Sequence, residues 1–185
     1  MILGATTAMR SNTINTRLGG QVKSLWGTRL VQLAPRLSVK LPGREDVRYI
    51  MPSENTVRVR LRLDHRKKGL IWYPTYVCSF NGIYTVTNRE MVKQKLYFQF
   101  TFPSKGATYD AFDLTLDDEK MAATVDTDEG INEIIEIEPG QSRRFTVTYE
   151  TRGLSDWQYL PAQATGRVQN LDLTVQTDFP DIDYI

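Results

Sequence analysis

From residue 30 onward, apolar and polar side chains alternate along the chain, which is the pattern of half-buried β-strands. The clearest case is 57–63, where valine and leucine alternate with Arg58, Arg60 and Arg62. Prolines and glycines, as in Pro42-Gly43 and Pro139-Gly140, separate such segments. The other predicted strands are 30–41, 70–87, 94–102, 110–116, 131–138, 143–151 and 168–177. This series predicts a mainly β fold, an antiparallel β-sandwich.

The pair Asn81-Gly82 is typical of a two-residue hairpin turn. The alternation nevertheless runs straight through it, with Gly82 on the apolar face, so we predict one long strand over 70–87 that bends there. Cys78 falls on the same apolar face. Its thiol is therefore predicted to be buried, where a cysteine acts as a small apolar side chain.

The N-terminal segment follows a different period. Ile14, Leu18, Val22 and Leu25 fall on one face of a 3.6-residue repeat, which predicts one short helix that ends at Trp26-Gly27. Before it, residues 1–9 are small and apolar but too few to cross a bilayer. They are either the exit end of a transmembrane helix or an ordinary chain terminus. No run of 18 apolar residues occurs in the chain.

The charge balance narrows the function classes. The 185 residues carry a net charge of +1, without the strong basic excess of a dedicated nucleic-acid binder. Residues 1–95 hold 17 Lys/Arg against 5 Asp/Glu, and residues 96–185 hold 6 against 17. Either a basic surface faces phosphate or anionic lipid, or strands from the two halves pair and neutralise one another. The dispersed charges favour the second interpretation.

The sequence contains few candidate residues for catalysis or metal binding. His65 lies among cations and suits a solvated turn better than a general base, and the chain has no phosphate-binding glycine loop. A single cysteine and a single histidine leave little material for zinc, and we predict no cofactor and no metal. Asp126, Asp128 and Glu129 have the hardness that calcium requires, but Gly130 stands where an EF-hand needs an acid, so an acidic hairpin turn is favoured.

Two aromatic groups, an arginine ladder and a carboxylate pair are the candidates for a ligand or partner surface. The aromatic groups can stack on sugars or build the core. The ladder can bind an anion, protect a strand edge or flank acids on a neighbouring strand. The aspartates near the C-terminus lie beside Pro180, which favours an extended, exposed tail. The candidates are Trp72, Tyr73, Trp157, Tyr159, Arg58, Arg60, Arg62, Asp178 and Asp181. We expect Trp157 to be mostly buried, at a sandwich end after a loop-like entry over 153–156, and Trp72 to be partly exposed.

Several segments resemble the periplasmic region of CreD-like bacterial inner-membrane proteins. The resemblance spans residues 25 to 183 and contains no catalytic signature. It is carried by Leu25-Trp26-Gly27, Gln32-Leu33-Ala34-Pro35, Gly69-Leu70-Ile71-Trp72-Tyr73-Pro74-Thr75-Tyr76, Phe80-Asn81-Gly82-Ile83-Tyr84-Thr85-Val86-Thr87-Asn88, Tyr149-Glu150-Thr151-Arg152-Gly153-Leu154 and Thr177-Asp178-Phe179-Pro180-Asp181-Ile182-Asp183. It implies an extracytoplasmic domain on the periplasmic side of the inner membrane, linked with envelope integrity and flanked by membrane segments. No active-site residues follow from it.

The sequence predicts three consecutive segments in the chain. Residues 1–27 are the end of a membrane helix and a helical lead-in, 28–177 form the β-sandwich, and 178–185 link to a following membrane segment. The expected function is a non-enzymatic envelope sensor or interaction domain that binds an envelope protein or a glycan, and not nucleic acid. The alternatives are a glycan-binding module that uses Trp72 and Trp157, or a glycan-processing hydrolase that uses carboxylates such as Asp178 and Asp181 about 5–9 Å apart.

Overall fold

The structure is a computed structural model that describes residues 27–40, 47–68, 70–123, 125–161 and 166–180. The predicted helix before Gly27, the apolar stretch over 1–9, and Asp181 lie outside these ranges. If the apolar stretch continues a membrane helix, Ile2 and Leu3 should stay out of the domain core, and both residues also lie outside these ranges. Within the described ranges, no helix has the length and hydropathy needed to cross a bilayer.

Strands dominate the described residues, as the alternation predicts. In chain order they are β1 (Thr28–Leu33), β2 (Arg36–Lys40), β3 (Val47–Ile50), β4 (Glu54–Leu63), β5 (Arg66–Lys68), β6 (Ile71–Tyr73), β7 (Thr75–Thr87), β8 (Gln94–Phe100), β9 (Tyr109–Leu116), β10 (Glu119–Lys120), β11 (Ile131–Ile137), β12 (Ser142–Leu160) and β13 (Leu171–Thr177). Pro35 divides the predicted strand 30–41 into β1 and β2, and Pro74 separates β6 from β7. The predicted strand through Asn81-Gly82 is confirmed, because β7 continues across it.

The strands form two stacked sheets and a small hairpin. The large sheet has the order β10-β9-β12-β7-β4-β13, with β1 also paired to β12, and the second sheet has the order β11-β8-β2-β3. Most pairs are antiparallel, but β1 with β12 and β13 with β4 are parallel. The predicted antiparallel arrangement thus holds for most pairs, and these two are the exceptions. Side-chain alternation is the same in both directions, so it does not report strand direction.

The core lies between the inner faces of the two sheets. Phe98 of β8 stacks on Phe145 of β12 with ring centroids 4.1 Å apart, and Phe80 of β7 approaches Phe100 of β8 at 6.2 Å. Each of these rings is almost fully buried. Aromatic pairs of this kind add to the stability gained from the apolar area that they bury. The packing of one sheet on the other confirms the predicted sandwich class.

Strand β12 bends out of the large sheet after pairing with β7. Ser155 adopts a positive φ of 72°, and β7 loses contact with β12 beyond Leu154. The core tyrosine Tyr76 donates a hydrogen bond to the Asp156 carbonyl at 2.6 Å, so the end of β12 folds over the inner face. The prediction of a loop over 153–156 was wrong, because Gly153 and its neighbours lie inside one long strand.

Cys78 is fully buried on the inner face of β7, which confirms its predicted strand phase. Burial raises the pKa of its thiol to about 12, so the reactive thiolate is scarce at neutral pH. We expect the native protein to resist iodoacetamide and the denatured protein to react fully. Because the chain has one cysteine, labelling stoichiometry by mass spectrometry reports this residue alone. Rapid labelling of the native protein would contradict the buried position.

Candidate functional site

A concave groove of about 570 Å³ runs along the outer face of the large sheet. It crosses β13, β4, β7 and β12, whose inward side chains fill the core while polar outward side chains line the groove. The outward side chains that line it are Arg58, Arg60, Ser79, Asn81, Thr148, Glu150, Thr174 and Gln176. The groove therefore presents polar and charged outward side chains, and no outward aromatic ring contributes to it.

Strand register arranges these side chains in two rows across the sheet. In the first row, Thr174 pairs with Arg58, Arg58 with Asn81, and Asn81 with Thr148. The second row is Gln176, Arg60, Ser79 and Glu150. Directly opposed side chains on one face of a sheet lie close enough to contact a common ligand. The register thus brings together residues that are far apart in sequence.

The two arginines of the groove differ in their partners. Arg58 forms an ion pair with Asp172 and donates to the Asp172 carbonyl oxygen at 3.1 Å. The hydrogen bond from Arg58, together with its charge, lowers the pKa of the Asp172 carboxyl. The Arg60 side chain makes no ion pair or hydrogen bond with any described residue. Arg60 thus offers an uncommitted guanidinium, which is a planar donor suited to carboxylates and phosphates.

Two further groups in the groove matter for binding. The Ser79 hydroxyl donates to Glu150 Oε1 at 2.7 Å, which keeps that carboxylate oriented toward β7. The side-chain oxygen of Asn81 is shielded from solvent and has no hydrogen-bond partner among the described residues. A shielded polar atom without a partner is costly, and a ligand donor removes that cost.

A β-bulge forms the side of the groove at β9. The register between β9 and β12 shifts between Thr148 and Glu150, and Ala111 adopts a positive φ of 49°. Ala111 is exposed and lines the groove. Bulges bend a sheet locally and are common beside binding sites. The bulge makes this part of the outer face concave.

The arginine ladder is only partly in the groove. Arg58 and Arg60 line it, whereas Arg62 is exposed on the same face two residues further along β4. The edge-protection interpretation was wrong, because β4 lies between β7 and β13. The interpretation that the ladder flanks acids is confirmed for Arg58, which pairs with Asp172 on β13.

The predicted aromatic groups do not form a common platform. Trp72 is 63% exposed in the β5–β6 hairpin, with the Lys67 ammonium 5.5 Å from its ring centroid, and Tyr73 is half-buried beside it. Trp157 and Tyr159 stack on each other at 6.3 Å and pack against the core from the bent end of β12. The expected contrast between a mostly buried Trp157 and an exposed Trp72 is thus seen.

The predicted carboxylate sites have structural partners. Asp178 Oδ1 accepts a hydrogen bond from the Leu63 backbone N–H at 2.9 Å, beyond the end of β13 and outside the groove lining. Asp126 Oδ1 accepts from the backbone N–H groups of Asp128 and Glu129 at 2.8 and 3.0 Å, and these bonds lower its pKa. Asp126 therefore caps a turn, and no described group of three acidic, histidine or cysteine side chains is arranged to hold a metal.

Ion pairs join the basic first half of the chain to the acidic second half. Arg58 with Asp172, Arg29 with Asp156 and Lys93 with Glu136 each join a base of the first half to an acid of the second half. The interpretation that the halves neutralise one another is confirmed at these pairs. Exposed pairs of this type contribute at most about 1 kcal/mol each, so their main effect is on local charge.

Sequence reasoning missed most of the groove. Ser79, Asn81 and Glu150 are outward residues of long strands, and nothing local distinguishes them from other solvated positions. One signal was available in the sequence of β7. Ser79 and Asn81 are short polar residues at outward positions, whereas the other outward positions carry Val77, Ile83 and threonines. The groove itself depends on register, which alternation does not specify.

Comparison with known proteins adds little to this geometry. No family model matches the chain, and no curated protein matches it. A crystal structure of a Legionella pneumophila protein to which nutrient binding is only provisionally ascribed is similar at a TM-score of 0.34 and 11% identity, over 70% of this chain. The matched region spans 47% of that protein, about half of its length.

Proposed function

We propose that the protein is a non-enzymatic binding domain whose ligand surface is the groove on the large sheet. The observation that carries the proposal is the uncommitted guanidinium of Arg60, set among amide and hydroxyl side chains in a preformed concavity. Binding sites are commonly concave, with a few placed polar groups that fix orientation. The groove meets that description without requiring any movement of the described strands.

The chemistry of the groove favours a glycan that carries a carboxylate. Arg60 matches the carboxylate, while Asn81, Thr148 and Gln176 supply donors and acceptors for hydroxyl groups. The Glu150 carboxylate accepts hydrogen bonds from hydroxyl groups. Its negative charge repels a second acidic group of the ligand at that position. A simple polyanion fits this arrangement less well than a ligand with one acid and many hydroxyls.

We place this domain, as a proposal, on the periplasmic side of a bacterial inner membrane in a CreD-like protein. The resemblance described above and the position of the domain's two ends support it. At the start of β1, Thr28 lies in one row across the sheet with Gly153, Tyr76 and Leu63. The Leu63 N–H donates a hydrogen bond to Asp178, which follows the end of β13. The described chain thus enters and leaves at one end of the large sheet, as two flanking membrane segments require. Reporter fusions on either side of this region in the full-length protein test the location.

An Arg60→Gln variant is expected to weaken binding of a carboxylate-bearing glycan by about 10-fold to 100-fold, because a hydrogen-bonded ion pair is lost. Isothermal titration calorimetry with soluble muramic-acid-containing peptidoglycan fragments provides the measurement. The matched control is Arg62→Gln, which removes the same charge from the same strand face outside the groove. Its affinity should remain within about twofold of wild type.

Equal losses in the two variants would show that net charge, not the groove, governs binding. Unchanged affinity in Arg60→Gln would exclude Arg60 as the anion contact. Absence of binding to acidic and neutral glycans alike would overturn the glycan proposal.

A glycan-processing hydrolase is the second candidate, because the register places two carboxylates opposite each other beside the groove. Glu150 of β12 pairs with Asp110 of β9. Directly opposed residues of antiparallel strands have Cβ atoms about 4.5–5.5 Å apart, which overlaps the roughly 5–5.5 Å carboxyl separation of a retaining glycosidase. These residues differ from the predicted Asp178 and Asp181. Product analysis after prolonged incubation, compared with Glu150→Gln, separates turnover from binding.

A further inference from the structure

The β5–β6 hairpin carries an exposed apolar tip. Leu70, in the turn between the two strands, is 92% exposed, and Trp72 is 63% exposed. Lys67 pairs directly with Trp72, so both side chains lie on one face of the hairpin. A large apolar side chain in solvent is unfavourable unless another phase or partner covers it.

Positive charge surrounds this tip. Residues 66–68 are Arg-Lys-Lys, and Asp64 is the single acid between Arg58 and Arg89 in the sequence. Asp64 already binds Arg66 at 2.9 Å and Arg152, and the Arg66 hydrogen bond holds the pKa of its carboxyl below the usual value. Two guanidinium groups therefore share one carboxylate, and Lys67 remains in excess. The tip is cationic as well as apolar.

The hairpin projects from the end of the large sheet at which the described chain enters and leaves. It continues the antiparallel pair of β4 and β7 past Leu63 and Tyr76, and Asp64 N–H donates to the Thr75 carbonyl at 2.9 Å. Gly27 packs against the Arg152 carbonyl near the same row, and Asp178 contacts Leu63 there. The hairpin and the two ends of the described chain therefore lie at the same end of the large sheet.

We propose that the β5–β6 hairpin docks on an anionic lipid bilayer, with Leu70 and Trp72 inserted at the interface and Lys67 at the headgroups. Tryptophan favours the interfacial region, and basic side chains are attracted to anionic lipid. Insertion of one leucine and one tryptophan adds to the electrostatic attraction of anionic lipid, and the two contributions together support reversible binding. The two side chains are too small a patch for a stable protein interface, which buries about 800 Å² per partner. The biological orientation rests on the proposed function, whereas lipid binding is a separate property of the hairpin.

The test is sedimentation of the 185-residue chain with sucrose-loaded vesicles of pure phosphatidylcholine and of phosphatidylcholine with phosphatidylglycerol. We expect binding to the anionic vesicles that falls as salt rises. Leu70→Ala/Trp72→Ala should reduce partitioning by about tenfold or more, and Lys67→Glu by about tenfold. The matched control is Met91→Ala/Val92→Ala, since Met91 is also 92% exposed but lies at the opposite end of the sandwich.

Trp72 supplies a second measurement. Anionic vesicles should shift the tryptophan emission to shorter wavelength in wild type, and Trp72→Phe should remove that shift. Both hairpin variants change exposed side chains, and circular dichroism should show wild-type strand content.

Equal binding to both vesicle types, or no binding to either, would overturn the proposal. So would a loss of binding in the Met91/Val92 control that matches the loss in the hairpin variant. Binding that survives removal of Leu70 and Trp72 would overturn it as well. Capture of polyglutamate without capture of vesicles would assign the surface to an acidic polypeptide and also overturn it. The hairpin variants should keep glycan affinity, so failure here and failure of the proposed function are distinguishable. Topology mapping tests the cellular location independently.

Discussion

A Gly153→Val variant is expected to lose about 3 kcal/mol of folding free energy, at the upper end of the usual cost of overpacking. A Cβ atom at this position would overlap Cζ, Oη and Cε2 of Tyr76. Tyr76 is only 5% exposed, and its hydroxyl is held by the Asp156 carbonyl at 2.6 Å. The ring therefore has no free space to move into, and the bend that carries β12 over the core must shift instead.

Urea unfolding monitored by circular dichroism measures this loss. Gly106→Ala is the control, because a Cβ there contacts nothing while its φ of +70° still imposes backbone strain of about 1 kcal/mol. The double variant Gly153→Ala/Tyr76→Leu should be more stable than the sum of its single variants predicts, since removing the phenol ring relieves the overlap. Strict additivity would show that steric overlap with Tyr76 is not the cause.

Replacing Trp157 with alanine is expected to cost about 3 kcal/mol, near the low end for a large aromatic side chain in a core. Trp157 is half-buried, stacks on Tyr159 and packs against the core cluster. The same change at Trp72 should alter stability by less than about 1 kcal/mol, because that ring is 63% exposed on the hairpin. The two tryptophans are thus each other's control.

Denaturant unfolding of both alanine variants, together with their native fluorescence spectra, checks this contrast. Loss of Trp157 should remove blue-shifted emission, and loss of Trp72 should remove red-shifted emission. Equal and large losses of stability would mean that the hairpin packs on the domain, which would also weaken the lipid-docking proposal. Equal and small losses would mean that the end of β12 does not cover the core.

The basic residues of the first half of the chain lie in two separate places, the groove and the hairpin. The interpretation of a basic anion-binding surface stays a prediction, and it concerns Arg60 and Lys67, which lie in different parts of the fold. The interpretation that the two halves neutralise each other is confirmed at the ion pair of Arg58 with Asp172. The ladder is therefore not one functional unit, although its spacing in sequence is uniform.

The sequence by itself determined the strands, their inward faces and the buried position of Cys78, because two-residue alternation is a local property of a half-buried strand. The predicted strands over 30–41 and 70–87 were too long, because Pro35 and Pro74 lack the N–H that a strand pair needs and break them. Tertiary structure alone decided the parallel pairs of β1 and β13, the bend of β12 after Gly153 and the joining of Arg60 to Ser79 and Glu150. These features depend on which strands pair and in which register. Outward polar residues are solvated equally well in many registers, so their pattern carries no information about their neighbours.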